Sequence, residues 1–473
     1  MTVKPTFTQA GLLLIGVIWA IAMTVAPGAA RAQASAPQLS DLRPGADYVP
    51  GELVVALEGS PERELELPAG VGIAQAAGAL AQNPNVAYAV PNYVADAAAA
   101  CPPSPAPDPF PECPPNDAAA MDGSGDWRTR QWNFLTDIND DPVTGDQYDC
   151  PLGVRCGINA LGAWKKLVDI GRAGASGVRI AVVDSGIAYR KFGTRFKRSP
   201  DFRSGQFATG YDFVGRDTHP LDLYGHGTHV AGTIAQKVNN GVALTGLAYN
   251  ARIIPVRVLD GRGRGSASQV ARGIRYAADR NADIINLSFD FPAKLGSSDL
   301  RGVHKAINYA NARGALIVAA AGNERRSRIP YPAAGPKVIA VAASTVKGCL
   351  ASYSNRGNGA TRDRKVDVAA PGGGADDGLC TSPLLGGRPI YQVTVKPRRG
   401  NFTRFGIPGS YVGTSQAAAH VSGVAAMVLA TGVLGSNPTQ SAQQARLRNT
   451  GSPLRPPFGY VNLIDATQAT TAP

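Results

Sequence analysis

The sequence lacks several patterns that would assign it to a common class of protein. It contains no Cys-x-x-Cys pair, which argues against a zinc site built on cysteines. It has no dense acidic loop of the EF-hand type, and no internal repeat is visible. It also has no Gly-x-Ser-x-Gly segment, the turn that carries the nucleophile of lipase-like hydrolases, so that class of enzyme is not indicated.

One long apolar run lies near the N-terminus, from Ala10 to Val25, and it follows Lys4. Two overlapping sites with small residues come next, and they would allow cleavage after Ala32 or Ala34. This order of a charged residue, a short apolar run and small residues predicts a secretory signal peptide over 1–34. The run is short for a membrane span, and an uncleaved anchor is the alternative. We expect a secreted protein, extracellular or periplasmic, without a stable membrane anchor.

Only six cysteines occur in 473 residues. In an exported chain an even number of cysteines indicates disulfides. Six cysteines allow fifteen pairings, which the sequence alone does not separate. The spacing favours local pairs, namely Cys101 with Cys113, Cys150 with Cys156, and Cys349 with Cys380.

Charged residues make up 17% of the chain, and the net charge of +12 is unevenly spread. Residues 35–98 hold eight acidic and two basic residues, a net charge of −6, whereas the chain from residue 99 onward carries +16. The basic residues are scattered, so nucleic-acid binding is not expected. The distribution indicates an acidic N-terminal segment that faces a basic main body.

The acidic segment has the pattern of a small α+β unit. A strand is predicted from Gly51 to Leu57, a short helix from Gly72 to Pro84, and a second strand from Asn85 to Val94. A proline-rich stretch from Cys101 to Asp117 follows, which can form neither a helix nor a central strand. We therefore predict a linker over 99–130.

From Ile158 onward, apolar strands alternate with helices. The strands show no alternation of polar and apolar residues, which is typical of a parallel sheet covered on both faces. The predicted strands are 177–187, 251–260, 282–289, 315–324 and 337–344, and the predicted helices are 226–236, 267–281, 299–314 and 416–430. The fold class is therefore α/β, with a parallel sheet between layers of helices.

Four polar residues lie at the ends of these elements. Asp184 ends the strand "IAVVD", Asn323 follows "LIVAAAG", His226 begins a helix, and Ser415 leads a nearly all-apolar helix. Ligand and active sites of parallel sheets gather at the carboxyl ends of the strands. An Asp, a His and a Ser at such places form a candidate nucleophilic triad.

Each of these residues has a simpler interpretation when it is taken by itself. Ser415 could cap its helix, and Asp184 or Asn323 could be a turn residue. His226 and His229, three residues apart, could bind zinc, but no acidic third ligand lies nearby in the sequence. His229 and His420 are better interpreted as buried helix histidines. The combination of all the residues, rather than any single one, favours catalysis.

Three long motifs make the pattern specific: Asp-Ser-Gly after an apolar strand, "HGTHVAGTIA", and "GTSQAAAHVSG". In this order they resemble the subtilisin-like serine proteases, whose chain order is Asp, His, Ser. The resemblance extends from Ile158 to about Val461 and includes "GINALGAW", "ASYSNRG" and "VDVAAPG". The acidic unit over 35–98 resembles the pro-domain of that family, and 131–473 its catalytic domain.

The resemblance implies a role for each residue. Ser415 would be the nucleophile, and His226 would take its proton and later protonate the leaving amine. Asp184 would orient the imidazole and stabilise its charged form. Asn323 and the backbone N–H of Ser415 would stabilise the oxyanion. Gln416 and Ala419 replace the family's usual Met and Pro, and neither change affects proton transfer.

The resemblance also places the substrate groove. Its walls would be formed by Ser288, Phe289 and Asp290 on one side and by Gly263, Arg264 and Gly265 on the other. The family usually has Ser-Leu-Gly-Gly where this chain has "SFDF", so Asp290 stands in place of a glycine. A desolvated carboxylate needs a partner. Either a structural arginine or a basic side chain of the substrate could supply it.

The sequence thus predicts a secreted serine endopeptidase that is made as a self-processing precursor. Its partners would be protein or peptide substrates and its own pro-domain, and we expect a monomer. The resemblance requires no cofactor and allows calcium as a structural ion, and no metal ligand can be named from the sequence. The alternative is a catalytically silent relative that acts as a binding protein.

Overall fold

The computed structural model describes residues 48–57, 63–93, 117, 120–121, 127–135, 157–358, 365–376, 387–454 and 461–471. The predicted signal peptide, most of the predicted linker and five of the six cysteines lie outside these residues. Cys349 is buried and is not a free thiol, and its pairing with Cys380 stays a prediction. The chain divides into two compact units, Met1–Pro102 and Pro103–Pro473, and each is described by itself.

The first unit contains a three-stranded antiparallel sheet and one helix. The sheet has the order β2-β1-β3, with β1 at Tyr48–Leu57, β2 at Arg63–Glu66 and β3 at Val86–Tyr93. Helix α1 spans Ile73–Leu80 and buries Ala76, Ala77 and Leu80 against Leu53, Val55 and Leu67. The two predicted strands and the helix are confirmed, whereas the charged strand β2 was missed because its sequence "RELE" contains a single apolar residue.

The second unit is built on a nine-stranded sheet. In spatial order its strands are β13-β14-β10-β9-β8-β7-β4-β6-β5, and every pairing is parallel except that of β13 with β14. The strands are β4 Arg179–Asp184, β5 Tyr211–Asp212, β6 Arg252–Arg257, β7 Ile284–Leu287, β8 Leu316–Ala320, β9 Val338–Ser344, β10 Val368–Pro371, β13 Ser452–Pro453 and β14 Asn462–Leu463. A short antiparallel pair, β11 Thr394–Val395 and β12 Phe405–Gly406, lies outside this sheet.

Helices cover both faces of the sheet. The helices are α2 Ala160–Asp169, α3 His226–Ala235, α4 Ala267–Asp279, α5 Arg301–Ala312, α6 Thr414–Thr431, α7 Gln440–Asn449 and α8 Ala466–Thr470. Helices α2, α3, α6 and α8 contribute to one apolar core, and α4 and α5 to a second core. The predicted α/β fold is therefore confirmed.

Helix α6 occupies the centre of its layer. Fourteen of its eighteen residues are buried, most of them alanine, valine or glycine. Small side chains on all sides let the helix pack against several neighbours at once. Gly423 is an example of this close packing. A Cβ at Gly423 would lie 2.8 Å from the Cβ of Leu247. Among the described helices, none is long and apolar enough to cross a membrane.

Candidate active site

Asp184 lies at the carboxyl end of β4, an interior strand of the sheet that pairs with β6 on one side and β7 on the other. Its side chain is fully buried. Oδ1 accepts hydrogen bonds from the Ser185 N–H, at 2.6 Å, and from Nδ1 of His226, at 2.8 Å. The carboxylate therefore fixes the orientation of the imidazole and identifies Nδ1 as the nitrogen that carries the proton.

His226 is the first residue of α3, directly after Gly225. Gly225 has a φ of 102°, and a Cβ there would lie 2.9 Å from the Val395 carbonyl oxygen, so a glycine is needed for the chain to turn into the helix. Burial lowers the pKa of His226, but the charge and hydrogen bond of Asp184, together with the charge of Asp222, outweigh burial and hold the pKa above its ordinary value. Only 17% of the His226 side chain is exposed.

Asp222 organises the start of α3 and was not singled out from the sequence. Its Oδ1 accepts the N–H groups of Tyr224 and Gly225 and the hydroxyl of Ser185. Its Oδ2 accepts both the N–H and the hydroxyl of Thr228. The buried carboxylate thus caps the helix that begins with His226 and ties it to the residue after Asp184. The acidic residue just before the helix in "DLYGHGTH" was the sequence feature that could have revealed it.

Ser415 lies in the first turn of α6, where it is half-buried. Its Oγ donates a hydrogen bond to the Ser288 carbonyl oxygen at 2.8 Å, and the Ser288 hydroxyl donates to the Ser415 carbonyl oxygen at the same distance. Within the described part of the chain, Ser415 forms no hydrogen bond with His226. The structure therefore brings Asp184 and His226 into direct contact and holds the serine hydroxyl toward the end of β7.

Asn323 follows β8, and its side chain is exposed. Its Oδ1 accepts the Thr414 N–H at 2.9 Å and the Thr414 hydroxyl at 3.0 Å. These two bonds fix the amide so that its oxygen faces α6 and its NH₂ group is left for another acceptor. Asn323 is thus attached directly to the residue before Ser415.

The loop that carries Asn323 is held by Asn355, another residue that sequence reasoning missed. Asn355 Oδ1 accepts the N–H groups of Glu324 and Arg326, and its Nδ2 donates to the Ala321 carbonyl and to Glu324 Oε2. Asn355 is fully buried, so these bonds are shielded from water. It lies in "ASYSNRG", one of the stretches that carry the resemblance.

The two predicted groove segments make different contacts near these groups. Ser288 bonds to Ser415 as described, and Phe289 and Asp290 follow it in the chain. In the other segment, the backbone N–H groups of Arg262 and Arg264 both donate to Asp260 Oδ1, which closes a tight loop. Gly263 packs so closely on Tyr224, two residues before His226, that a Cβ would lie 2.9 Å from its ring.

The structural arginine considered as a partner for Asp290 is not found among the described residues. Asp290 forms no ion pair or hydrogen bond with them. Burial, together with the negative charge of Glu324, raises its pKa to about 7. A Cβ placed on Gly322 would lie 3.1 Å from Asp290 Oδ2 and 2.9 Å from Glu324 Oε2, so both carboxylates converge just before Asn323.

His229 and His420 are confirmed as buried helix histidines. The ring of His229 donates from Nε2 to the Ile390 carbonyl oxygen at 3.0 Å and stacks on Tyr411. The ring of His420 donates from Nδ1 to the Gln416 carbonyl oxygen at 2.8 Å. Burial lowers the pKa of His229 to about 3 and that of His420 to about 4, so both rings are neutral.

A polar cluster elsewhere in this unit contains oxygen atoms suited to a cation. Asp117 and Asp201 are both buried, and Asn240 joins them by donating its N–H to Asp117 and its Nδ2 to Asp201. Asp117 Oδ2 and Gln236 Oε1 are buried without a hydrogen-bond partner. Burial raises the pKa of Asp117 to about 7 and that of Asp201 well above its usual range. Among the described residues, no three His, Cys, Asp or Glu side chains form a metal-binding group, so amide oxygens would have to contribute.

Comparison with known proteins identifies one family and several similar proteases. Residues 175–460 match the family described as "Subtilase family". The chain is 36% identical over 293 residues to the thermophilic serine proteinase of Bacillus sp. (strain AK1), covering 62% of each chain. It is 34% identical over 296 residues to thermitase of Thermoactinomyces vulgaris, covering 63% of this chain and 90% of thermitase.

A solved structure of a protease from Pseudoalteromonas arctica shares the fold. It superimposes with a TM-score of 0.54 and 29% sequence identity, over 71% of this chain and 99% of that protein. The chain spans about three fifths of the Bacillus relative and most of thermitase. The matched region includes the ends of β4 and β8 and the starts of α3 and α6, where the candidate residues lie. The chain therefore belongs to the subtilase family, the family of the subtilisin-like serine endopeptidases.

Proposed function

We propose that the protein is a secreted serine endopeptidase that cleaves peptide bonds through Ser415, His226 and Asp184. The observation that carries this proposal is the 2.8 Å hydrogen bond between buried Asp184 and Nδ1 of His226. It leaves Nε2 as the basic nitrogen of the imidazole. Ser415, at the start of a buried helix, would be the nucleophile.

The first chemical step needs one change of side-chain orientation. Rotation about the Cα–Cβ bond of Ser415 would exchange its hydrogen bond to Ser288 for one to Nε2 of His226. As the serine oxygen attacks the substrate carbonyl carbon, its proton passes to Nε2, and the imidazolium is stabilised by Asp184. The same proton is then given to the leaving amine, and water repeats the sequence to release the acyl group.

The negative oxygen formed in this step would be stabilised by two donors. One is the side-chain NH₂ of Asn323, which is free because its oxygen is occupied by Thr414. The other is the N–H of Ser415, the second residue of α6, where an α-helix has no internal acceptor. The positive end of the helix dipole favours the same charge.

A catalytically silent binding protein is the competing function, and covalent labelling separates the two. A fluorophosphonate reagent should react once per chain at Ser415, with loss of fluoride, because only an activated serine attacks it at neutral pH. Mass spectrometry of a digest would locate the label. His226→Ala should remove labelling, and denatured protein is the matched control. Absence of label on the folded, processed protein would favour the silent relative.

Substrate preference is proposed to include a basic side chain at the cut. Asp290 lacks a cationic partner among the described residues, and Glu324 lies beside it. A lysine or arginine of the substrate would place a positive charge next to both carboxylates and relieve their repulsion. Because the two acids lie next to Asn323 in the structure, such a side chain would be close to the cleaved bond.

We further propose that the chain is made as a precursor with a signal peptide over 1–34 and an inhibitory pro-domain over 35–98. Opposite net charges of −6 and +16 support an attraction between the pro-domain and the main body. Residues 35–98, added as a separate polypeptide to mature enzyme, should inhibit hydrolysis at micromolar concentration. Inhibition should weaken as the salt concentration is raised from roughly 0.05 to 0.5 M, because salt screens the attraction over this range.

The control for this experiment is a scrambled polypeptide of the same composition. Since it keeps the charge and loses the fold, it should not inhibit. Equal inhibition by both polypeptides would show that inhibition depends on charge alone and not on the fold of the pro-domain. No inhibition by either would contradict the inhibitory role.

Calcium is proposed as a structural ion held by Asp117, Asp201 and the Gln236 side-chain oxygen. Calcium prefers carboxylate and amide oxygens, and the unpartnered buried oxygens in this cluster fit that preference. Bound calcium would offset the cost of two buried carboxylates and so raise the free energy of unfolding. The ion would take no part in the hydrolysis.

Removal of calcium should therefore lower the melting temperature. At a calcium concentration a hundred times Kd the stabilisation is about 2.7 kcal/mol, which for a unit of this size corresponds to a fall of roughly 3–4 °C in the melting temperature in chelator. Differential scanning calorimetry with and without EGTA would measure it. Asp201→Asn should abolish the response, whereas Asp169→Asn, on the exposed face of α2, should keep it. A melting temperature that chelator leaves unchanged would argue against the ion.

A further inference from the structure

A cavity of about 410 Å³ opens beside the loop that follows β4. Four basic residues line it, namely Arg190, Lys191, Arg198 and Arg203, together with the rings of Tyr189 and Phe207. No acidic residue is among those that line it. None of these side chains belongs to the candidate active site.

The four cationic groups have no carboxylate partner among the described residues. Arg190 shows this most clearly. Its Nη2 donates to Nδ1 of His219 at 2.7 Å, and its Nε is buried with no acceptor. A buried guanidinium N–H without an acceptor is costly, and an anion in the cavity would supply one. Asp217, whose negative charge acts on Tyr189, accepts the His219 backbone N–H instead.

The surrounding surface has the same sign of charge. Residues 190–198 hold five basic residues and 396–404 hold four, and neither segment contains an acid. The two segments are joined, because Arg195 Nε donates to the Gly400 carbonyl oxygen and the rings of Phe196 and Phe402 stack 5.0 Å apart. Closely spaced cations that are held in place raise the local concentration of anions.

We propose that this cavity binds an oxyanion, a phosphate or sulfate group carried by an organic ligand. Arginine forks match the geometry of phosphate and sulfate oxygens and can bind them through two parallel hydrogen bonds. The volume lies in the range of small-molecule sites and exceeds what a bare oxyanion fills. The rings of Tyr189 and Phe207, with centroids 5.5 Å apart, provide an apolar wall for the organic part. The ligand class is therefore a phosphate or sulfate monoester.

The test is isothermal titration of the whole protein at low ionic strength with inorganic sulfate, inorganic phosphate, phenyl phosphate and acetate. Sulfate and phosphate should bind and acetate should not, because a carboxylate has fewer acceptor oxygens for the four cations. Phenyl phosphate should bind more tightly than inorganic phosphate, because its ring would contact the apolar wall.

Substitutions identify the site. Arg190→Gln should weaken phenyl phosphate binding by about tenfold, the usual loss for one charge-assisted hydrogen-bond partner. Arg190→Lys, which keeps the charge without the fork, should give a smaller loss. Arg301→Gln, at the exposed start of α5, removes the same charge from another surface and should change nothing. Equal weakening by Arg190→Gln and Arg301→Gln, or equal binding of acetate and phosphate, would overturn the proposal. Hydrolytic activity plays no part in these measurements.

Discussion

Ser415→Ala is expected to abolish peptide hydrolysis and leave the chain folded. The substitution removes the proposed nucleophile, and it also removes one hydrogen bond, from Oγ to the Ser288 carbonyl. Loss of that single bond costs about 1 kcal/mol of unfolding free energy, far too little to unfold a domain of this size. Cleavage of a chromogenic peptide and circular dichroism would measure the two properties on one sample.

The same variant tests self-processing. If the precursor cuts itself, Ser415→Ala protein should keep residues 35–98 attached, which electrophoresis and N-terminal sequencing would show. Ser410→Ala, at an exposed hydroxyl a few residues upstream, is the matched control and should be processed and active. A Ser415→Ala protein that is processed and fully active would show that Ser415 is not the nucleophile.

Asn323→Ala belongs to the same experiment and tests the oxyanion donor. Turnover should fall by roughly a hundred- to a thousandfold with little change in KM, the magnitude established for this donor in subtilisin itself. Because Asn323 also accepts two hydrogen bonds from Thr414, part of the loss could come from a displaced Ser415. Thr414→Val, which removes the hydroxyl and keeps the amide donor, measures that part and should cost much less.

The sequence predicted the central architecture because the strands β4, β6, β7, β8 and β9 are continuous apolar runs between helices with clear periodicity. The strands that were missed have two to four residues, such as β5 at Tyr211–Asp212 and β14 at Asn462–Leu463. Two residues carry no periodicity, so only the pairing partner defines such a strand. Helix α7 was missed for a different reason, since its sequence "QSAQQARLRN" has few apolar residues.

The candidate site was predictable to a similar extent. Residues that do the chemistry have recognisable motifs, and Asp184 and His226 indeed meet in the structure. Residues that position them, Asp222 and Asn355, act through four or five hydrogen bonds to backbone groups and neighbouring side chains. Such bonds depend on loop conformation, which residue type and spacing do not specify. The resting orientation of Ser415 toward Ser288 was unpredictable for the same reason.

Asp290→Gly is expected to shift cleavage from peptides with Lys or Arg at the cut toward peptides with large apolar residues there. In the wild type a basic side chain would pair with Asp290, which has no cationic partner among the described residues and lies beside Glu324. Removal of the carboxylate takes away that pairing. The substitution also restores the glycine that the family usually has at this position of the groove wall. The ratio of kcat/KM for Lys over Phe substrates should fall on the order of tenfold, the size of about 1.4 kcal/mol of charge pairing.

The pH dependence of this ratio provides a second, independent test of contact between Asp290 and the substrate. Since the pKa of Asp290 is raised to about 7, the side chain is largely neutral at pH 6 and charged at pH 8. Preference for Lys and Arg should therefore grow as pH rises through about 7 in the wild type. Asp290→Asn, which keeps the shape and cannot ionise, should lose both the preference and its pH dependence. Asp279→Asn, an exposed carboxylate on α4, should behave as wild type. A peptide-library profile that Asp290→Gly leaves unchanged would show that this carboxylate does not contact the substrate.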